Sequence, residues 1–209
     1  MKTLILTSSG NFITNNNIDQ FLPKKLTDCK IAYIITGSKK VPDTGYIDRH
    51  RQKMTELNID YTEFDIAEKN EAELQKELDG YDIVLVEGGN SFYLLKAVRE
   101  SGFDNVINKL IENGVIYIGS SAGSYIACPS IIMATWSNRN FDECGITDYT
   151  AMNLVPFLIK AHFTPDTEES LKEKANHLEY PLRALSDDQA ILVQDEKIQL
   201  LGDGDEIIL

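Results

Sequence analysis

The segment Val115-Ile116-Tyr117-Ile118-Gly119-Ser120-Ser121-Ala122-Gly123 sets Gly-x-Ser-x-Gly between an apolar run and a helical one. A strand that turns sharply into a helix at a serine projects the hydroxyl from the tip of the turn, and flanking glycines make such a turn sterically possible. Ser121 is therefore a candidate nucleophile. A helix starting at Ala122 aims its first N–H groups at the place where an oxyanion develops during acyl transfer. The same residues could also be a small-residue turn that merely ends a strand, so the reading depends on a base.

A serine at its free pKa is a weak nucleophile without one. The chain has three histidines. His50 lies in the charged stretch Asp48-Arg49-His50-Arg51 and His177 lies beside Asn176 and Glu179; both read as solvated side chains. His162 follows the apolar run Phe157-Leu158-Ile159 and precedes Phe163-Thr164-Pro165. It is expected at the carboxyl end of a buried strand, where open α/β sheets bind their ligands. An acid is then needed to hold the imidazole tautomer. Asp187 and Asp188 sit in a turn between two apolar runs, and Asp142 and Asp148 precede His162. Spacing alone does not choose among them.

A second turn, Val86-Glu87-Gly88-Gly89-Asn90-Ser91, also joins a strand pattern to a helix pattern. Its backbone N–H groups could complete an oxyanion hole with that of Ala122, each donor contributing roughly 3 kcal/mol to the transition state. Asn90 is a candidate substrate contact, and Asn90 or Ser91 is a candidate N-cap. A phosphate site would need the full Gly-x-Gly-x-x-Gly or a P-loop lysine, and the turn has neither.

These turns need a sheet to position them. Thr3 to Thr7, Ile31 to Thr36, Ile83 to Val86 and Val115 to Ile118 read as strands buried on both faces, with Asp60 to Phe64 a weaker one. Ile47 to Leu57, Glu71 to Leu78 and the stretch from Ser91 read as helices. The βαβ order implies an α/β fold with a mostly parallel sheet and helices on both sides. After about residue 179, Arg183 to Leu185, Ala190 to Val193 and Ile198 to Leu201 read as antiparallel strands. Met133 to Asp148, holding Trp136, Asn138, Asn140 and Gly145, reads as a long functional loop. No linker or repeat interrupts the pattern, so residues 1–209 are expected to form a single domain.

The chain of 209 residues carries a net charge of −13, with 43% hydrophobic and 25% charged residues. These values fit a globular protein, and the negative charge, spread along the chain, disfavours nucleic acid and anionic membrane surfaces. No apolar run approaches the roughly 18 residues a membrane helix needs, and the N-terminal apolar stretch is too short for a signal peptide. Three cysteines without Cys-x-x-Cys spacing argue against a disulfide scaffold or zinc knuckle and for a cytoplasmic setting. No metal or other cofactor is implied.

Taken in order, Val86-Glu87-Gly88-Gly89-Asn90-Ser91-Phe92, Gly119-Ser120-Ser121-Ala122-Gly123 with Ala127-Cys128-Pro129, Met152-Asn153-Leu154 and Ala161-His162-Phe163-Thr164 resemble the dipeptidase E (aspartyl dipeptidase) and cyanophycinase family of serine peptidases. The resemblance spans most of the chain. It implies a flavodoxin-like three-layer sandwich of the class I glutamine amidotransferase type, Ser121 as nucleophile, His162 as base, and oxyanion donors near Gly89 and Ala122. The family's late glutamate corresponds to Asp187 here, one methylene shorter. A second aspartate proposed for the family falls near Trp136 and does not carry over. The arginine that holds an aspartate side chain in aspartyl dipeptidases has no counterpart in Thr167-Glu168-Glu169-Ser170-Leu171-Lys172-Glu173-Lys174, and a lysine does not replace a bidentate guanidinium. The expected activity is hydrolysis of short peptides or related amides, by a monomer or homodimer. A silent small-molecule-binding homologue and an esterase or acyl transferase are the alternatives.

Overall fold

A computed structural model describes residues 1–16, 18–137 and 142–209. In chain order the elements are β1 (Thr3–Thr7), α1 (Asn11–Asn15), β2 (Lys30–Ile34), α2 (Gly45–Glu56), β3 (Asp60–Phe64), α3 (Glu71–Glu77), β4 (Ile83–Val86), α4 (Ser91–Ser101), α5 (Phe103–Glu112), β5 (Ile116–Ser120) and α6 (Ala122–Ala127). Then come β6 (Leu158–Lys160), α7 (Glu168–Ala175), β7 (Leu182–Ala184), β8 (Ala190–Gln194), β9 (Lys197–Leu201) and β10 (Ile207–Ile208). A seven-stranded sheet has the order β3-β2-β4-β5-β1-β8-β9. Its first five strands are mutually parallel, whereas β8 runs antiparallel to β1 and β9 antiparallel to β8. The expected mostly parallel sheet with antiparallel C-terminal strands is therefore present.

One late run departs from expectation. β7 does not join the antiparallel end of the main sheet but pairs parallel with β6 and antiparallel with β10, in a separate three-stranded sheet. Parallel pairing of β6 and β7 requires a crossover, and α7 lies between them in the chain. In the expected loop, Ile132–Trp136 forms a 3₁₀ turn, while Asn138 and Asn140 lie outside the described residues.

Alternation along the strands produces two cores. Leu4, Leu6, Ala32, Ile34, Val84, Val86 and Tyr117 pack with residues of α3, α4, α5 and α6. On the opposite face Ile5, Ile31, Tyr33, Ile83, Leu85, Ile116 and Ile118 pack with Phe12 and Ile13 of α1 and Met54 of α2. The result is the three-layer arrangement, with the sheet between two helical layers.

The sheet and α6 approach too closely for a side chain between them. A Cβ on Gly123 would stand 2.0 Å from the Val86 carbonyl oxygen, and one on Gly119 would stand 2.6 Å from that of Gly123. Tyr117 donates its hydroxyl to the Gly123 carbonyl at 2.6 Å, and burial raises the phenol's pKa well above the usual value, keeping it protonated as a donor. Gly123→Ala is accordingly expected to cost about 2–3 kcal/mol through overpacking. Thermal unfolding should show a fall in Tm of roughly 5–10 °C; an unchanged Tm would mean that α6 can move off β4 freely.

Candidate active site

The carboxyl ends of the parallel strands gather the chemistry. Ser8 follows β1, Glu87-Gly88-Gly89 follows β4 and Ser121 follows β5. Because β8 is antiparallel, with Thr7 paired to Ala190, the turn before β8 arrives at the same end and brings Asp187 with it. His162 lies two residues beyond β6.

Ser121 has φ 48° and ψ −107°, a conformation costing a non-glycine residue about 1–3 kcal/mol. The surroundings hold it there. Its N–H donates to the Thr7 carbonyl at 3.0 Å, and its carbonyl accepts from the N–H groups of Ser124 and Tyr125 at 2.9 and 3.0 Å. Ser124 Oγ lies 2.7 Å from Thr7 O and 2.8 Å from Gly119 O, tying the strand to the helix beneath the turn. The serine side chain is thus lifted out of both regular elements.

Ser121 Oγ lies 3.1 Å from His162 Nε2, and His162 Nδ1 lies 2.6 Å from Asp187 Oδ1. Ser121, His162 and Asp187 therefore form one continuous chain of contacts. Asp188 and Asp142 are not part of it: among the described residues neither contacts His162, and Asp142 accepts from the Cys144 N–H at 2.9 Å. Asp148 is engaged by Arg99 at 3.1 Å. The one-methylene shortening at Asp187 leaves it within hydrogen-bond reach of the ring.

Sequence reasoning missed Ser8. Its Oγ accepts from the His162 N–H at 2.7 Å and donates to Asp187 Oδ1 at 3.0 Å. One hydroxyl so fixes both the backbone of the histidine, whose φ is 58°, and the carboxylate facing its ring. The only signal in the sequence was position, immediately after the first strand. The side chains of His162 and Asp187 remain 40% and 58% exposed, so the group is open to solvent and to a substrate.

The Gly88-Gly89 turn passes directly beside Ser121. A Cβ on Gly88 would lie 3.1 Å from Ser121 Cβ and 3.7 Å from its Oγ. Gly89 has φ 138°, and a Cβ there would stand 2.3 Å from Gly37 O. Among the described residues the Gly89 and Ala122 N–H groups make no hydrogen bond. The Asn90 carboxamide oxygen instead caps α4, accepting from the Phe92 and Tyr93 N–H groups, both at 3.0 Å. Asn90 is buried, and the cap bears out its reading as the residue that starts α4.

His50 corrects the sequence reading more sharply. It is buried, not solvated, and its Nδ1 lies 2.5 Å from Glu87 Oε2. The charged stretch around it is helical, and one face of α2 turns His50 inward while Asp48 and Arg49 remain exposed. Burial pushes the Glu87 pKa up, but hydrogen bonds from His50, Tyr33 and the Gly88 N–H outweigh it and hold the carboxyl below its ordinary value. His177 is exposed, as expected. Cys128 is buried, which pushes its thiol up to about 12 and leaves no rival thiolate there. No group of three or more His, Cys, Asp or Glu among the described residues could hold a metal ion, and no helix among them is long and apolar enough to cross a membrane.

Comparison with known proteins places relatives around this geometry. The model of peptidase family S51 matches residues 4–201. The chain is 30% identical over 199 residues to an uncharacterized peptidase of Pasteurella multocida, covering 94% of this chain and 95% of that one. It is 39% identical over 98 residues to peptidase E of Escherichia coli, a match of 46% of this chain and 40% of the relative. The crystal structure of a peptidase E-type protein from Listeria monocytogenes superposes with a TM-score of 0.84 at 26% identity, covering 98% of this chain and 100% of that one.

Two measurements test the contacts themselves. In proton NMR, the imidazole Nδ1–H of His162 should give a downfield resonance that persists in Asp188→Asn and is lost or displaced in Asp187→Asn. For Glu87, a depressed pKa means that its ionised form contributes stability above about pH 4.5, the ordinary value, and that this contribution fades as the pH falls through the folded-state pKa. Glu87→Gln should therefore be destabilised most at neutral pH, with the difference from wild type shrinking below pH 4.5. A difference independent of pH would deny the carboxylate that role.

Proposed function

The chain belongs to peptidase family S51 and is a serine peptidase of the dipeptidase E type, and on that premise we propose how its residues divide the work. Ser121 Oγ attacks the carbonyl carbon of a short peptide while His162 Nε2 takes the hydroxyl proton. The negative charge that forms on the carbonyl oxygen is held by the Gly89 and Ala122 N–H groups. When the tetrahedral adduct collapses, the C–N bond breaks, the leaving amine receives the proton from Nε2, and an acyl-enzyme remains on Ser121. Water then adds to the ester, gives a proton to Nε2, and the acid departs as Ser121 regains its hydrogen.

Asp187 keeps Nδ1 protonated, so that Nε2 presents a lone pair to Ser121, and stabilises the imidazolium that forms during each half-reaction. The observation that carries this reading is the unbroken run from Ser121 Oγ through the ring to Asp187, at 3.1 and 2.6 Å. The segment from Thr167 to Lys174 offers no arginine to pair with an aspartate side chain of a substrate. Its Lys172 pairs with Glu168 at 2.6 Å, and Lys174 stands over the Trp136 ring at 5.5 Å.

We take residues 1–209 as one peptidase domain acting as a monomer or homodimer. A cytoplasmic setting suits the free thiols Cys29, Cys128 and Cys144.

A fluorophosphonate probe should label the wild type and leave Ser121→Ala unlabelled. With a dipeptide selected from a library, His162→Ala and Asp187→Asn should each lower kcat on the order of 10³-fold or more. Labelling that survives Ser121→Ala would remove this serine from the nucleophile's role, and turnover by His162→Ala at the wild-type rate would remove the base. A labelled enzyme that cleaves no dipeptide but turns over matched esters would redirect the assignment to ester chemistry.

A further inference from the structure

A glycine pair is a poor holder of orientation. The peptide linking Gly88 to Gly89 can rotate with no side chain on either residue to resist it, and a rotation would present a carbonyl oxygen where the oxyanion needs an N–H. We propose that Tyr46 is a positioning residue for the peptidase reaction: its hydroxyl, acting with the Glu87–His50 pair, locks the Gly88–Gly89 peptide with the Gly89 N–H facing the crevice. This inference rests on the reading of Gly89 as an oxyanion donor.

The geometry is specific. Tyr46 donates its O–H to the Gly88 carbonyl at 3.1 Å. No peptide bond in the described chain is cis, and in a trans peptide the C=O and the following N–H point in opposite directions. Holding the Gly88 oxygen from one side therefore directs the Gly89 N–H to the other. The preceding peptide is held as well, since the Gly88 N–H donates to Glu87 Oε1 at 2.7 Å. Glu87 is itself clamped: Oε2 accepts from the Tyr33 hydroxyl and lies against His50 Nδ1, both at 2.5 Å.

Tyr46 and His50 are four residues apart on α2, and such a pair shares one helix face. That single face supplies both the hydrogen bond to the Gly88 carbonyl and a partner for the carboxylate. Room for the imidazole comes from Gly10, where a Cβ would stand 1.7 Å from His50 Cε1. At the far end of the turn the Asn90 N–H donates to Gly37 O at 2.9 Å. The turn is thereby fixed on both sides of Gly89, at Gly88 and at Asn90, and its one N–H without a partner among the described residues is that of Gly89.

Burial and the neighbouring Glu87 charge raise the Tyr46 pKa above its usual value, so the phenol stays a donor across the working pH range.

The test is Tyr46→Phe, which keeps the ring and removes only the hydroxyl, read by the kinetics of fluorophosphonate inactivation. In that reaction Ser121 Oγ bonds to phosphorus as its proton passes to His162 Nε2, fluoride leaves, and the phosphoryl oxygen occupies the hole. Losing a donor outright costs about 10²–10³-fold; a peptide that is misoriented only part of the time should cost less, and kinact is expected to fall roughly tenfold. KI should stay within about twofold and Tm within about 2 °C, which a general loosening of the fold would not leave unchanged. A wild-type kinact overturns the proposal, as does a loss confined to KI or accompanied by a larger fall in Tm. Labelling of Ser121→Ala, or no labelling of the wild type, would instead sink the underlying reading of the site.

Discussion

The site depends on one strained residue. Ser121 occupies φ 48° and ψ −107° because the Thr7 carbonyl takes its N–H and the first turn of α6 takes its carbonyl. The first of these contacts depends on the sheet order, which puts β1 beside β5. Ser124 adds its hydroxyl to the same Thr7 oxygen. The central pairing of the sheet thus offsets a local cost of about 1–3 kcal/mol. The return is a hydroxyl projected away from its own backbone, within reach of a histidine 41 positions later. Removing any of these supports would favour relaxation toward ordinary helical or extended backbone.

The two carboxylates near this turn do different work because their surroundings differ. Asp187 is exposed and faces the His162 ring, itself open to solvent. Glu87 is buried, with Tyr33, His50 and a backbone N–H around it. Breaking a buried charged cluster by removing one member generally destabilises more than an exposed contact does, because the remaining polar groups lose their partners away from water. A carboxylate in that position is suited to fixing backbone and ill placed to meet a substrate. The same chemical group therefore faces a solvent-open imidazole at one turn and holds chain geometry at the other.

Much of this was legible in the residues. Gly-x-Ser-x-Gly after an apolar run located the strand-to-helix turn at Ser121, and strands such as Thr3–Thr7 and Ile83–Val86 emerged with the boundaries expected. Apolar runs report burial directly, so the sheet was easy to see. α5 was not anticipated: Gly102, at φ 71°, ends α4 and immediately begins the next helix, so no loop separates their patterns. His50 was misjudged because sequence neighbours on a helix point in different directions, and its charged neighbours face water while it faces the sheet. Ser8 left only its position after the first strand as a signal, since its side-chain partners are more than 150 residues away. Choosing Asp187 over Asp188 required the register of β8 against β1, which spacing does not encode.

That register has a wider consequence. A purely parallel sheet gathers at its carboxyl edge only residues that lie just beyond a strand, so every contributor to a site must come from a strand's exit. Reversing β8 lets a residue that precedes a strand reach the same edge, and Asp187 enters in this way. His162 comes from a second sheet and contacts the first through Ser8, which lies just after β1. Three kinds of chain entry therefore converge: the exit of parallel strands, the approach to an antiparallel one, and the exit of a strand in a neighbouring sheet. Ser8 is the point at which they meet, since its single oxygen binds the backbone of His162 and the carboxylate of Asp187 together. A small hydroxyl is suited to this place, because it can accept from an N–H and donate to a carboxylate at once. An alanine there would leave the His162 N–H without that acceptor, and a larger residue would push the two sheets apart.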